Sequence, residues 1–176
     1  MYKLLITCVF TLIMVQDERS VTWSDDLQLT WEYFKGTPTY KTTVSAVTAS
    51  GISFGFSSKM TETRLVDYSA FVDAHFYPDK SWYVEGRANS IILDHERLHF
   101  DITELHARKF RQRLAQTKFT LNINAEMERI HAAINSELRQ TQQKYDQESD
   151  HSQNVEEQKK WQRKIKLELE KLAYYK

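Results

Sequence analysis

The run His95-Glu96-Arg97-Leu98-His99 carries the clearest chemistry in the sequence. Its two imidazoles are four residues apart. On a helix that spacing is about 40° of rotation and ~6 Å of rise, so both rings reach the same point in space. Two neutral imidazoles so placed suit a zinc ion, Zn2+, which brings the pKa of water down to about 7. Glu96 stands one residue past the first ring. There it would act as general base, taking the proton of that water and later delivering it to a leaving amine. Two ordinary histidines on a charged helix are the plainer reading. Leu93, Leu98 and Ile102 as apolar neighbours weigh against it.

A tetrahedral catalytic site takes a third protein ligand and keeps one open position. His106 shares the azimuth of His95 but lies about 16 Å further along the axis. Glu104 falls on the opposite side of the helix, and Asp101 also points away. The third ligand is therefore expected from a second helix, antiparallel to the first about a turn near Lys118 or Phe119. There the inward stripe of Thr141 and Tyr145 continues to Glu148 and then His151. Glu148 would give a two-His, one-Glu site and His151 a three-His site, and spacing does not choose between them. A polar, solvated helix end is the alternative for this stretch. His75 and His131 read as structural histidines.

The elements that must position these residues fall into two halves. Residues 21–84 read as strands and turns, and 88–175 as almost wholly helical. Thr42 to Thr48 and Ile52 to Phe56, separated by Ala49-Ser50-Gly51, suggest a hairpin. The run from Leu65 to Phe76 is the clearest strand. Val66, Tyr68, Ala70, Val72, Ala74 and Phe76 share one face at period two. At a sheet edge above the metal helix, it could pair with an extended substrate. The first helix is expected from Ala88 or Asn89 to Gln116, capped by Asn89 or Ser90. The second runs from about Asn122 to Tyr145, with Met127, Ile130, Ile134, Leu138, Thr141 and Tyr145 as one stripe. After a polar break over 147–154, a last helix carries Trp161, Ile165, Leu169 and Leu172. The expected fold class is α+β: a small antiparallel sheet in the N-terminal half, followed by three helices.

The chain has 176 residues, enough for one core, and its 24 basic and 24 acidic side chains cancel. A neutral surface argues against nucleic acid as an obligatory partner. Met1-Tyr2-Lys3 followed by an apolar run from Leu4 to Val15 reads as an export signal over 1–16, too short to span a bilayer. Residues 17–176 then form a single domain in a secreted or periplasmic protein. Cys8 is the one cysteine, and Thr7 before it makes a lipoprotein anchor a poor match.

Several segments together resemble the bacterial family of predicted secreted zinc-dependent proteases known as domain of unknown function 922. They are Leu29-Thr30-Trp31-Glu32-Tyr33-Phe34-Lys35-Gly36, Lys80-Ser81-Trp82, Leu93 to Glu104, and Tyr145 to His151 with Gln158 and Trp161 beyond. Arg97-Leu98 stands where family members usually have Gln-Gly, Ser149 where they have Thr, and Ser152 where a Gly commonly follows. The resemblance implies a zincin-like metallopeptidase fold. It puts His151 ahead of Glu148 as third ligand and gives Asp101 and Glu104 supporting roles. Tyr145 either steadies a substrate oxyanion or packs in the interior. The expected activity is zinc-dependent hydrolysis of a peptide or protein substrate. The alternatives are a zinc-stabilised binding module of the cell envelope and, more remotely, a coiled-coil adaptor that binds no metal.

Overall fold

The computed structural model describes residues 19–39 and 41–176. The expected export signal, the domain start at residue 17 and Cys8 lie outside the described residues. Strands β1 (Val21–Thr22), β4 (Leu65–Phe76) and β3 (Ser50–Met60) form an antiparallel sheet in the order β1-β4-β3. A second, two-stranded antiparallel pair joins β2 (Ala46–Val47) to β5 (Trp82–Tyr83). Three helices follow: α1 (Ser90–Gln116), α2 (Ile123–Glu148) and α3 (Val155–Lys171). The fold is α+β, with small antiparallel sheets first and three helices after. No helix among the described residues is long and apolar enough to cross a membrane.

The period-two face of β4 is buried only at its C-terminal end. Val72, Ala74 and Phe76 are in the core, whereas Val66 and Ala70 are exposed where the ribbon runs past the helices. β1 covers the other side of β4 only at His75 and Phe76, with Trp23 N–H donating to the Ala74 carbonyl at 3.0 Å. The hairpin expected around Ala49-Ser50-Gly51 does not form. Ser50 and Gly51 pair instead with Phe76 and His75, and the chain reverses at 61–64, where the Thr61 N–H donates to the Arg64 carbonyl at 2.9 Å. The long β4 run offers β3 an eleven-residue partner and a common buried face. The short segment before residue 48 offers neither, and it pairs with β5.

α1 is the central element, packed against β3 and β4 on one side and against α2 and α3 on the other. Asn89 caps it by accepting from the Ile92 N–H at 3.0 Å, which satisfies one orphan donor. One apolar cluster joins Phe76, Phe100, Phe110, Ile123 and Met127 between sheet and helices. A second joins Leu98, Ile102, Leu138, Tyr145, Trp161 and Ile165 among the three helices. Each large apolar side chain so buried stabilises the fold by about 1.5–3 kcal/mol. Because α1 is held on both sides, the direction of every side chain on it is fixed.

His106 lies between α1 and α2, donating from Nδ1 to the Ile102 carbonyl at 2.8 Å. Burial lowers its pKa to about 4. The unfolded chain, with a pKa near 6.5, then binds more protons over the interval from about 6.5 to 4, so stability is complete above this interval and declines as pH falls through it. The loss is on the order of 3 kcal/mol at 1.36 kcal/mol per pH unit. Urea unfolding midpoints measured from pH 7 to pH 4 should fall accordingly, and His106→Gln should flatten that slope.

Candidate metal centre

One face of α1 and the last turns of α2 converge on three electron-pair donors. His95 Nε2 lies 3.1 Å from His99 Nε2 and 3.1 Å from Asp146 Oδ1. His99 Nε2 is 2.9 Å from the same carboxylate oxygen. Tetrahedral zinc with bonds of 2.0–2.1 Å would set its ligand atoms about 3.3–3.4 Å apart, so the cluster has nearly the right span. His95, His99 and Asp146 form a group that could hold a metal ion.

Gln142 decides which nitrogen of His99 faces the cluster. Its Nε2 donates to the His99 backbone carbonyl at 2.9 Å, and a carbonyl can only accept. Its Oε1 therefore faces His99 Nδ1 and accepts from it. With the proton on Nδ1, neutral His99 directs the Nε2 lone pair at a carboxylate oxygen and at a second imidazole. Lone pairs facing one another need a cation between them, either a proton or a metal. Without a metal, protons take that role. Burial opposes charge on His99, but the Asp146 bond and the charges of Glu96 and Asp146 outweigh it and raise the His99 pKa. Burial likewise works against ionised Asp146, yet the bonds to His95 and His99 hold its carboxyl well below the usual carboxylate range.

Tyr145 is fully buried and lies outside the cleft lining. Its ring stacks on His95 with centroids 4.5 Å apart and meets His99 edge-on at 5.1 Å. It is the floor that holds the two imidazoles. Burial, with the charges of Glu96, Asp146 and Asp94, raises its pKa far above the ordinary phenol value, so it stays neutral. Its hydroxyl has no partner among the described residues.

The cluster opens into a cleft of about 850 Å³, lined by residues 43–48, Ser50, Glu96, Gln142, His151 and others. Glu96 is 5% exposed and its Oε2 has no hydrogen-bond partner among the described residues. A buried carboxylate oxygen in that state is costly unless something in the cleft donates to it. Thr48 donates its hydroxyl to the Glu96 backbone carbonyl at 3.1 Å, which ties the 43–48 segment to α1 at this residue. Val84 N–H donates to the Ser45 carbonyl at 2.8 Å. Peptide groups alternate in direction along an antiparallel strand, so Ala46, which lines the cleft, turns its N–H and C=O away from β5.

The third donor is Asp146, where Glu148 or His151 was expected. Glu148 lies outside the group, because its Oε2 accepts from the Trp161 indole at 2.8 Å and its Oε1 is 3.7 Å from Lys144 Nζ. His151 lines the same cleft but also lies outside the group. Asp101 and Glu104 point away from the metal group, as the helix geometry required. Asp101 accepts from the Trp23 indole at 2.9 Å, and buried Glu104 accepts from Arg108 and Arg111. His75 bonds Ser53 at 2.8 Å, and His131 packs on Phe54 and Phe110. Arg97 reaches Leu29 and Asp94 on the far side of α1, and Leu98 is buried among the helices. Neither residue belongs to the donor group.

Metal loading discriminates Asp146 from Glu148 as the third donor. Asp146→Asn should weaken zinc binding by more than the roughly 10–100-fold that losing an outer partner costs, with Glu148→Gln close to wild type. Competition against a chromophoric chelator measures both. Equal affinity in the two variants would remove Asp146 from the site.

No curated protein and no solved structure matches the chain. A family model described as "Bacterial protein of unknown function (DUF922)" matches residues 38–152, from the segment before β2 through both metal-site helices to the turn after α2. That match covers well over half of the sequence, and the chain belongs to this DUF922 family.

Proposed function

We propose that the protein is an exported zinc-dependent hydrolase that cleaves peptide bonds, with Glu96 as general base. The observation that carries the reading is buried Glu96, whose Oε2 has no partner among the described residues, beside a three-donor group on the wall of one cleft. His95, His99 and Asp146 would hold the ion. Zinc bound there would supply Lewis acidity, polarising a carbonyl and bringing the pKa of water to about 7. Glu96 takes the proton of the attacking water and passes it to the leaving nitrogen. Gln142 and Tyr145 keep the two imidazoles in place, so little reorganisation is needed on binding.

The substrate reading rests on β2. An extended chain lying along 43–47 would meet the outward N–H and C=O of Ala46, a pairing that adds one strand to a short edge. Thr48 keeps that edge in register with Glu96. The second reading, a zinc-stabilised binding module, calls for a closed site with four protein ligands. The group among the described residues has three, which favours a site with an open position.

Glu96→Gln should retain zinc at wild-type stoichiometry and lower cleavage of an unfolded protein substrate by about 10²–10⁴-fold. Elemental analysis and peptide mapping read the two quantities. Undiminished cleavage with bound metal would rule out Glu96 as the base.

A further inference from the structure

We infer that His151 is a catalytic residue of this cleft: it donates a ring N–H to the substrate carbonyl oxygen as that oxygen takes on negative charge. The inference rests on the hydrolase reading above and adds to it a residue that touches substrate and not metal.

Five of the six histidines have work in the fold or the donor group. His95 and His99 share Asp146, His106 bonds a backbone carbonyl, His75 bonds Ser53, and His131 packs between aromatic rings. Only His151 has an imidazole without a hydrogen-bond or ionic partner among the described residues. It is exposed, and it lines the same cleft as His95, Glu96 and His99. A free donor on the wall of this cleft is what an incoming carbonyl would find.

The backbone under it is unusual. Asp150, His151 and Ser152 have φ of 46°, 48° and 78°, three successive non-glycine residues in the left-handed region. Ending α2 requires one such residue, at Asp150. The bonds Asp150 N–H to the Gln147 carbonyl at 3.3 Å and His151 N–H to the Asp146 carbonyl at 2.9 Å complete that helix stop. The chain then stays left-handed for two residues more, each sterically unfavourable for an L-residue. Bonds from Gln153 N–H to the Asp150 carbonyl and from Asn154 N–H to the Ser149 carbonyl, with Ser149 and Ser152 buried, hold it there. Ser152, at φ 78°, holds a conformation that costs nothing only for glycine.

This turn fixes the His151 main chain to the carbonyl of Asp146, whose carboxylate belongs to the donor group. The His151 backbone is therefore anchored one bond from the donor group, and its side chain lines the cleft without joining that group. A donor fixed in advance where charge develops does not have to reorganise during the reaction, and loss of one such donor typically lowers kcat by about 10²–10³-fold.

The test compares zinc-loaded wild type with His151→Ala and His151→Gln. Three quantities are measured: zinc affinity, kcat and KM on an unfolded peptide substrate, and binding of a phosphinic peptide whose tetrahedral anion mimics the transition state. His151→Ala should bind zinc as wild type does. It should lose kcat by on the order of 100-fold with KM nearly unchanged, and lose phosphinic-peptide affinity by a similar factor. His151→Gln, which keeps an N–H donor, should recover part of both. His151→Gly accepts the left-handed backbone, also lacks a side-chain donor, and carries the comparison if the Ala variant is unstable. Loss of zinc would make His151 a ligand and overturn the inference. Unchanged kcat and unchanged phosphinic-peptide affinity would make it a surface residue and overturn it too. If wild type cleaves nothing, the hydrolase reading fails and the catalytic role of His151 fails with it; if wild type cleaves and the His151 variants match it, the role of His151 fails alone.

Discussion

Two imidazole nitrogens and one carboxylate oxygen sit about 3 Å from one another at the edge of the protein interior, and the rest of the site follows from what that proximity demands. The His99 nitrogen and the carboxylate oxygen carry lone pairs, and so does the His95 nitrogen when its ring proton is on Nδ1. Brought together without a positive charge they repel, and in surroundings of low dielectric the repulsion is screened poorly. The direction of the proton on His99 sharpens the demand, because Gln142 takes the Nδ1 hydrogen and leaves Nε2 as an acceptor. A cation at the centre relieves all three contacts at once. Protons can do this partially, which is why His99 is easier to protonate and Asp146 harder.

The fold is arranged to keep those atoms from moving apart. α1 is clamped between the β3–β4 sheet and the α2–α3 pair, so neither histidine can swing away by rotating the helix. Tyr145 fills the space beneath both rings, and Trp161 and Ile165 of α3 pack in the same apolar cluster. The Trp161 indole also binds Glu148, which draws that carboxylate toward α3 and leaves Asp146 to face the histidines. α3 thus reaches the site without contributing a donor to it.

On the cleft side the arrangement is the opposite: groups are left without partners. Glu96 Oε2 has none among the described residues, and the His151 ring is free among the described residues. In a protein selected for stability alone such groups would be satisfied or replaced. Both lie on one opening, beside the three donor atoms of the group that could hold a metal ion.

The local features were written in the sequence. The spacing of His95 and His99 within an amphipathic run placed both imidazoles on one face of α1, and Asn89 marked its start. The alternation from Leu65 to Phe76 marked β4 to the residue. These follow from the 3.6- and 2-residue periods, which need no knowledge of neighbours. The azimuth at which α2 meets α1 is different. The apolar stripe through Thr141 and Tyr145 pointed on to Glu148, but Tyr145 is driven into the core. The face one residue further round, Gln142 and Asp146, meets the histidines instead. A polar pair four residues apart beside the stripe was the one available signal. Helix packing fixes such a rotation through side-chain interdigitation across the whole interface, so no local pattern contains it. The same holds for the strand beside the cleft: pattern found the long β4, while only the assembled sheets put β2 next to Glu96.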